Sequence, residues 1–251
     1  MEKMIHLAAQ YLATAGISFL EKKEDDSHTN LGFDANTGYL ETWPLNENGC
    51  KIALDYMQFS LHWISNDTTR LTIYLDGKSH ADIVQWVDQV TTALGRTEPY
   101  SYKLHYELPY DKITNDFTFL KPPQEELERS LNYRRIAQNA LENIVNNMKF
   151  STTIRVWPHH FDTGGYEIIN KGKQISVGFG LAIPDMLIND FYLYTSGYKD
   201  NDGIDTSAFD RITYGDWMNE GFKGAVLPMK NVDQAEAITF FNESIVQYGA
   251  L

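Results

Sequence analysis

Apolar residues return every three to four positions over residues 2–22, where Ile5, Ala8, Ala9, Leu12, Ile17 and Leu20 fall near one helical face. A polar break at 24–30 follows, and "TNLGFD" then reads as a short strand. A turn over 35–38 leads to a second strand over 39–45, and "NENG" at 46–49 is a strong turn signal. The alternating run "CKIALDYMQFSLHWIS", with Ile52, Leu54 and Tyr56 in step, predicts a long sheet segment. "RLTIYLDG" predicts another. Ser79 then caps a helix over 79–94, with Asp82 three residues on, an apolar face of Ile83, Val84, Val87, Val90 and Leu94, and Gly95 as its stop.

Residues 97–123 break the periodicity with Pro99, Pro109 and the Pro122-Pro123 pair. The segment "YSYKLHYELPY" inside it suits an edge strand, and its aromatics mark a linker that packs. Pro123 and the acidic residues Glu125, Glu126 and Glu128 open a helix running to about Met148, since a negative first turn complements the helix dipole. Strands are expected at "TTIRVW", "YEII", "QISVGFGLA" and "DFYLYTS", with turns at "FDTGGY" and "NKGK". A Gly/Asp-rich insertion at 197–221 precedes the strand "FKGAVLPM". A helix over about 232–246 closes the chain, with Asn231 as its cap.

The two halves share this order of elements. Phe33-Asp34, Gly38-Tyr39, Gly49 and Ile52 fall on Phe161-Asp162, Gly165-Tyr166, Gly172 and Ile175. The expectation is an α+β protein, internally duplicated, with two helix–(about four strand)–helix halves related by a pseudo-two-fold axis. Short turns make its sheet mainly antiparallel, covered by helices. Residues 1–251 form a single structural unit in this reading: 1–96 the first half, 97–123 the packed linker, and 124–251 the second half with its insertion.

Composition adds exclusions. The formal net charge is −13, and the acidity is even: 10 Lys+Arg against 17 Asp+Glu in residues 1–124, 11 against 17 in the rest. No basic stripe exists to displace counterions from a phosphate backbone, so nucleic acid is not an expected partner, nor is an anionic membrane. The N-terminus reads as an amphipathic helix and not a signal peptide, and no apolar run reaches 18 residues. Cys50 is the sole cysteine, so neither an intramolecular disulfide nor a cysteine zinc cluster can form, and a reducing, cytoplasmic location is expected.

The densest chemistry lies in "VWPHHFDTGGY" at 156–166. His159, His160 and Asp162 are the candidate acid–base residues, because a carboxylate beside imidazole orients it and imidazole titrates near neutrality. On an extended chain His160 and Asp162 share a face, and His62 is the best third ligand for a divalent metal. Two ligands at one place fall short of a metal centre, so no cofactor is predicted. Asp34, His62 and Trp157 are candidate ligand-binding residues. The plainer alternative makes Asp162 an Asx-turn residue before Gly164-Gly165, as Asp34 would be in its own turn. That alternative leaves "WPHH" as the part without an equivalent. Arg134 and Arg135, beside Tyr133, read as a solvated helix face. "DNDGID" at 200–205 reads as a surface loop, because Tyr198 and Phe209 would stand at the first and last ligand places of a calcium loop. Phe191, Tyr192, Tyr194 and Tyr198 read as sheet packing.

The segments "RVWPHHFDTGGY", "KQISVGFGLAIPD" and "DFYLYTSGY", with "GCKIALDYMQFSLHW" in the first half, resemble an uncharacterised, mostly bacterial family of domains of unknown function. The matching features are Phe161-Asp162, Gly178-Phe179 and Phe191-Tyr192-Leu193-Tyr194, with Gly49, Lys51, His62 and Trp63. Cys50 departs from the pattern. The resemblance implies a shared fold over most of the chain and no activity. Function is therefore expected in one of three forms: a small-molecule binder with a cleft near the Trp-Pro-His-His-Phe-Asp segment, a metal-dependent or His/Asp acid–base enzyme, or a non-catalytic interaction protein. Reaction, ligand and oligomeric state stay open.

Overall fold

The computed structural model describes residues 2–65, 68–93 and 98–251. The chain divides into two compact units, one of Met1–Leu131 with Val156–Phe161, the other of Asn132–Arg155 with Asp162–Leu251. The described residues form an α+β protein with four α-helices and two antiparallel sheets.

In the first unit, helix α1 (Glu2–Phe19) precedes a 3₁₀ turn and strands β1 (Gly32–Asp34), β2 (Tyr39–Glu41), β3 (Lys51–Asp55), β4 (Ser60–Ser65) and β5 (Thr68–Tyr74). They pair in chain order as an antiparallel meander. The run 50–65 is thus two strands. Asp55 accepts the Gln58 N–H at 2.9 Å, and Phe59 takes a positive φ of 52°, which folds the run back on itself. Helix α2 (His80–Ala93) follows, opened by Ser79 and Asp82, each bonding the other's backbone N–H. Its expected end at Leu94 and stop at Gly95 lie outside the described residues.

Helix α3 (Gln124–Met148) begins in the first unit and ends in the second. It leads to β6 (Arg155–Trp157), β7 (Asp162–Asn170), β8 (Ile175–Ala182), β9 (Tyr192–Lys199), the short β10 (Asp202–Gly203), β11 (Asp216–Met218), β12 (Gly224–Pro228) and α4 (Gln234–Gly249). The sheet order is β11-β12-β9-β8-β7-β6, with β10 paired to β9. Along its register, Val177, Phe179, Leu193 and Gly197 point to one face, where Phe150 meets Phe179 and the Tyr248 ring of α4 fills the space left by Gly197. Asp162, Gly164, Gly180, Ala182, Tyr192 and Tyr194 belong to the other face.

Three expectations change. "FDTGGY" is not a turn: Asp162–Tyr166 begin β7, and the turn lies upstream at residues 158–161, where Phe161 has φ 65°. A side chain at Gly164 would meet the Phe179 carbonyl, so these glycines serve close strand approach. The cap of α4 is Asp233, not Asn231. Asp233 accepts from Ala235 and Glu236 N–H while the Glu236 side chain accepts the Asp233 N–H, and Asn231, two residues earlier, takes a left-handed φ of 65°. The segment 100–110 forms no strand; it runs irregularly along α1.

Candidate functional site

The turn at 158–161 is built into the first unit from α1. His6 is fully buried, and its Nε2 donates to the Pro158 carbonyl at 2.7 Å, a role fixed by an acceptor with no hydrogen to give. Gln10 Nε2 donates to the same oxygen at 2.9 Å. The buried Phe161 ring stacks on the His6 ring at 4.8 Å and 8°. Pro158 and Phe161 therefore anchor the turn. Between them, His159 is half-buried against Tyr106 (5.9 Å), Trp157 (6.3 Å) and His160 (4.4 Å between ring centres), and His160 is exposed. Burial first, then the neighbouring His160 and His105, push His159 below the ordinary imidazole value.

His62 sits on β4 with 4% exposure. Its Nδ1 bonds Thr72 Oγ1 at 2.8 Å, its Nε2 faces Ser60 Oγ at 3.2 Å and Asp55 Oδ2 at 3.7 Å, and Tyr39 stacks on the ring at 5.3 Å. Burial raises the Asp55 carboxyl, but His62 and the N–H groups of Gln58 and Met57 outweigh it and hold the group below its ordinary value. This closed network braces β2 to β5. Among the described residues no three of His, Cys, Asp and Glu gather as a metal centre requires, so His160, Asp162 and His62 do not make the considered cluster.

Asp34 is the Asx-turn residue. Its carboxylate accepts Asn36 N–H at 2.8 Å and Thr37 Oγ1 at 2.9 Å. Asp162 is not: at the first position of β7, its carboxyl is desolvated among the side chains of the second unit and rises to about 7 from an ordinary 3.8. Burial is the largest cause. The Tyr194 hydroxyl and the Arg134 charge oppose it, and Asp185 adds to it. Tyr194 reaches this carboxyl because Gly164 and Gly180 carry no side chains: a Cβ at either would stand 3.3 or 3.0 Å from its hydroxyl. Tyr192, two residues back on the same face, donates to Asp185 Oδ2 at 2.8 Å, while Asp185 Oδ1 accepts the N–H of Leu187 and Ile188. Burial pushes both tyrosine hydroxyls far above their ordinary value, so they stay protonated. Beside them Ala182, Tyr192 and Val226 form a buried apolar patch. Half-buried Leu187, Ile188, Met218 and Phe222 pack on it.

Arg134 is 1% exposed and bonds Thr163 Oγ1, which corrects its reading as a solvated residue. Tyr192 and Tyr194 likewise do more than pack. The signal that finds this site is the row Gly164, Gly180 and Tyr194 across three paired strands, and it needs the strand pairing to be seen. No family model matches the chain, and no curated protein or solved structure matches it.

Proposed function

We propose that the protein binds a small molecule at Asp162, with the ligand's hydrogen-bonding head on the Asp162 carboxyl and Tyr194, and its apolar body against Leu187, Ile188, Met218 and Phe222. The observation that carries this reading is a desolvated carboxyl held near neutrality among tyrosine hydroxyls, beside a half-buried apolar patch. Asp185 in the same group and a net charge of −13 favour a neutral or cationic ligand over an anion. A carboxyl that exchanges its proton near pH 7 also suits general acid–base chemistry on a bound substrate, which is the second reading.

We further propose that the fold is an internal duplication. Two four-residue turns close alike: Gly38 N–H donates to the Asp34 carbonyl at 2.8 Å, and Phe161 N–H to the Trp157 carbonyl at 2.7 Å, each with a positive φ at its last residue. Residues 34 and 157, like 38 and 161, are 123 apart (157 − 34 and 161 − 38). Each half also runs helix, strand, this turn, then a meander, then helix. "WPHHF" is then the counterpart of "DANTG", a turn of the shared fold, while Asp162 corresponds to Tyr39 and has no carboxylate counterpart. Membership of the resembled uncharacterised family belongs to the same proposal. Its Phe161-Asp162, Gly178-Phe179 and Phe191–Tyr194 features fall on or beside β7, β8 and β9.

Ligand-observed NMR with a library of small amines, alcohols, neutral amphiphiles and carboxylates tests the binding reading. Neutral or cationic apolar members should bind to the protein and lose binding in Asp162→Asn. Hits that the substitution leaves unchanged, or hits confined to carboxylates, would remove Asp162 from the site.

A further inference from the structure

The segment 98–112 has no secondary structure, yet it is fastened to α1 along the helix's whole length. Tyr100 bonds Thr14 Oγ1 at 2.6 Å, Tyr106 donates to Gln10 Oε1 at 2.7 Å, and Tyr110 bonds His6 Nδ1 at 3.2 Å. Ser101 N–H reaches Ser18 at 3.1 Å, and Lys3 lies over the Tyr110 ring. His6, Gln10 and Thr14 recur every four residues and are fully buried, so three tyrosine hydroxyls satisfy one polar stripe of a helix. The Tyr100 and Tyr102 rings are packed against Phe19, Tyr11 and His80, but among the described residues the segment has no backbone ladder to a neighbouring element, so side chains alone hold it. It belongs to the low-stability end of a fold.

Two buried histidines lie under this segment. His80 opens α2, where the positive end of the helix dipole opposes a second positive charge. Its Nδ1 bonds the Tyr11 hydroxyl at 2.7 Å, and the Tyr102 ring stands edge-on at 4.6 Å. The charged group nearest in its own element is the exposed Asp82, turned to the Ser79 N–H. His28 is 5% exposed. Its Nδ1 accepts the Lys23 N–H at 3.4 Å, so that nitrogen carries no proton, and its ring stacks with His105 of the segment at 6.3 Å. Asp26, 3.4 Å from His105, and Asp25 favour protonation there; Lys22 and His105 oppose it.

We propose that residues 98–112 are an acid-released strap on α1, with His80 and His28 as the groups whose protonation frees it. Burial holds both imidazoles below the ordinary value of 6.5. The fastened form therefore binds fewer protons than the released form. Lowering the pH through the ordinary value shifts the population toward release, and the shift levels off only below the depressed values. Release uncovers His6, Gln10 and Thr14 and leaves the second unit's ladders intact.

Hydrogen exchange by mass spectrometry, corrected for the intrinsic pH dependence of exchange, reads this directly on the full chain. Between pH 7.5 and 5.5, peptides covering 98–112 should lose protection several-fold while peptides covering β8 and β9 keep theirs. The double variant His28→Gln, His80→Gln should flatten the response. The unaltered protein alone decides the case if that variant fails to fold. Constant protection of the strap, an equal loss in β8 and β9, or an unchanged pH response in a folded double variant would each overturn the proposal. None of these outcomes touches Asp162, so the binding reading stands or falls separately.

Discussion

Asp162 costs the fold stability that an amide would not. Its folded value, about 7, lies above the ordinary 3.8, so between these pH values the folded chain holds more proton than the unfolded one. Stability from this group is therefore lost as pH rises through that window, and the loss is complete above it. Asp162→Asn keeps an acceptor for Tyr194 and removes the charge. Urea unfolding should find the variant more stable at pH 8 by up to about 4 kcal/mol, with the gain vanishing below about pH 4. A variant less stable at pH 8 would mean that the carboxylate is itself a stabilising partner. The sequence placed Asp162 and Asp34 in the same role because both follow Phe and precede Gly-Tyr. The backbone separates them: the Asp34 side chain turns back to its own amides, and Asp162 enters a strand. Side-chain identity alone cannot choose between these, since Asx turns and strand starts both accept Asp.

At the scale of elements, α1 shows how a helix can bury polar residues at little cost. Gln10 serves the Pro158 carbonyl with its amide N–H and the Tyr106 hydroxyl with its carbonyl. Gln10→Leu leaves that hydroxyl without its partner in a part-buried place, which should cost about 1–3 kcal/mol in chemical denaturation. A loss below about 0.5 kcal/mol would show that Tyr106 finds another partner in the strap. The helices, the turns at 46–49 and 170–173 and the antiparallel order were legible from periodicity and turn residues, whereas the hairpin turn at 56–59, which holds no Gly or Pro, was not. The strap was legible only as a linker rich in aromatics. Its tyrosines pair with α1 residues 86 to 104 positions away, a separation that no local pattern reveals.

For the whole molecule, the path of the chain matters more than the count of elements. Residues 156–161 belong to the first unit although they follow the second unit's first segment. They supply the paired bridge between Val156 and Leu31, with N–H···O bonds of 2.8 and 2.9 Å, and the Pro158–Phe161 plug on α1. A fragment ending at residue 131 lacks both. It should show no cooperative thermal transition by circular dichroism, because His6 and Gln10 lose their buried acceptor and the Phe161 cover. A fragment that melts cooperatively would contradict this division of the chain. The division into 1–96, 97–123 and 124–251 follows the linear order of patterns and has no means of assigning six residues back across most of a helix and the loop after it.

The proposed ligand site requires Asp162 to be a carboxyl that exchanges its proton near neutral pH. A ¹³C carboxyl NMR titration, with Asp162 assigned by its absence in Asp162→Asn, tests it most directly. The Asp162 resonance should titrate with a midpoint near 7. A midpoint near the ordinary aspartate value would contradict that requirement, and with it the site proposed at the start of β7.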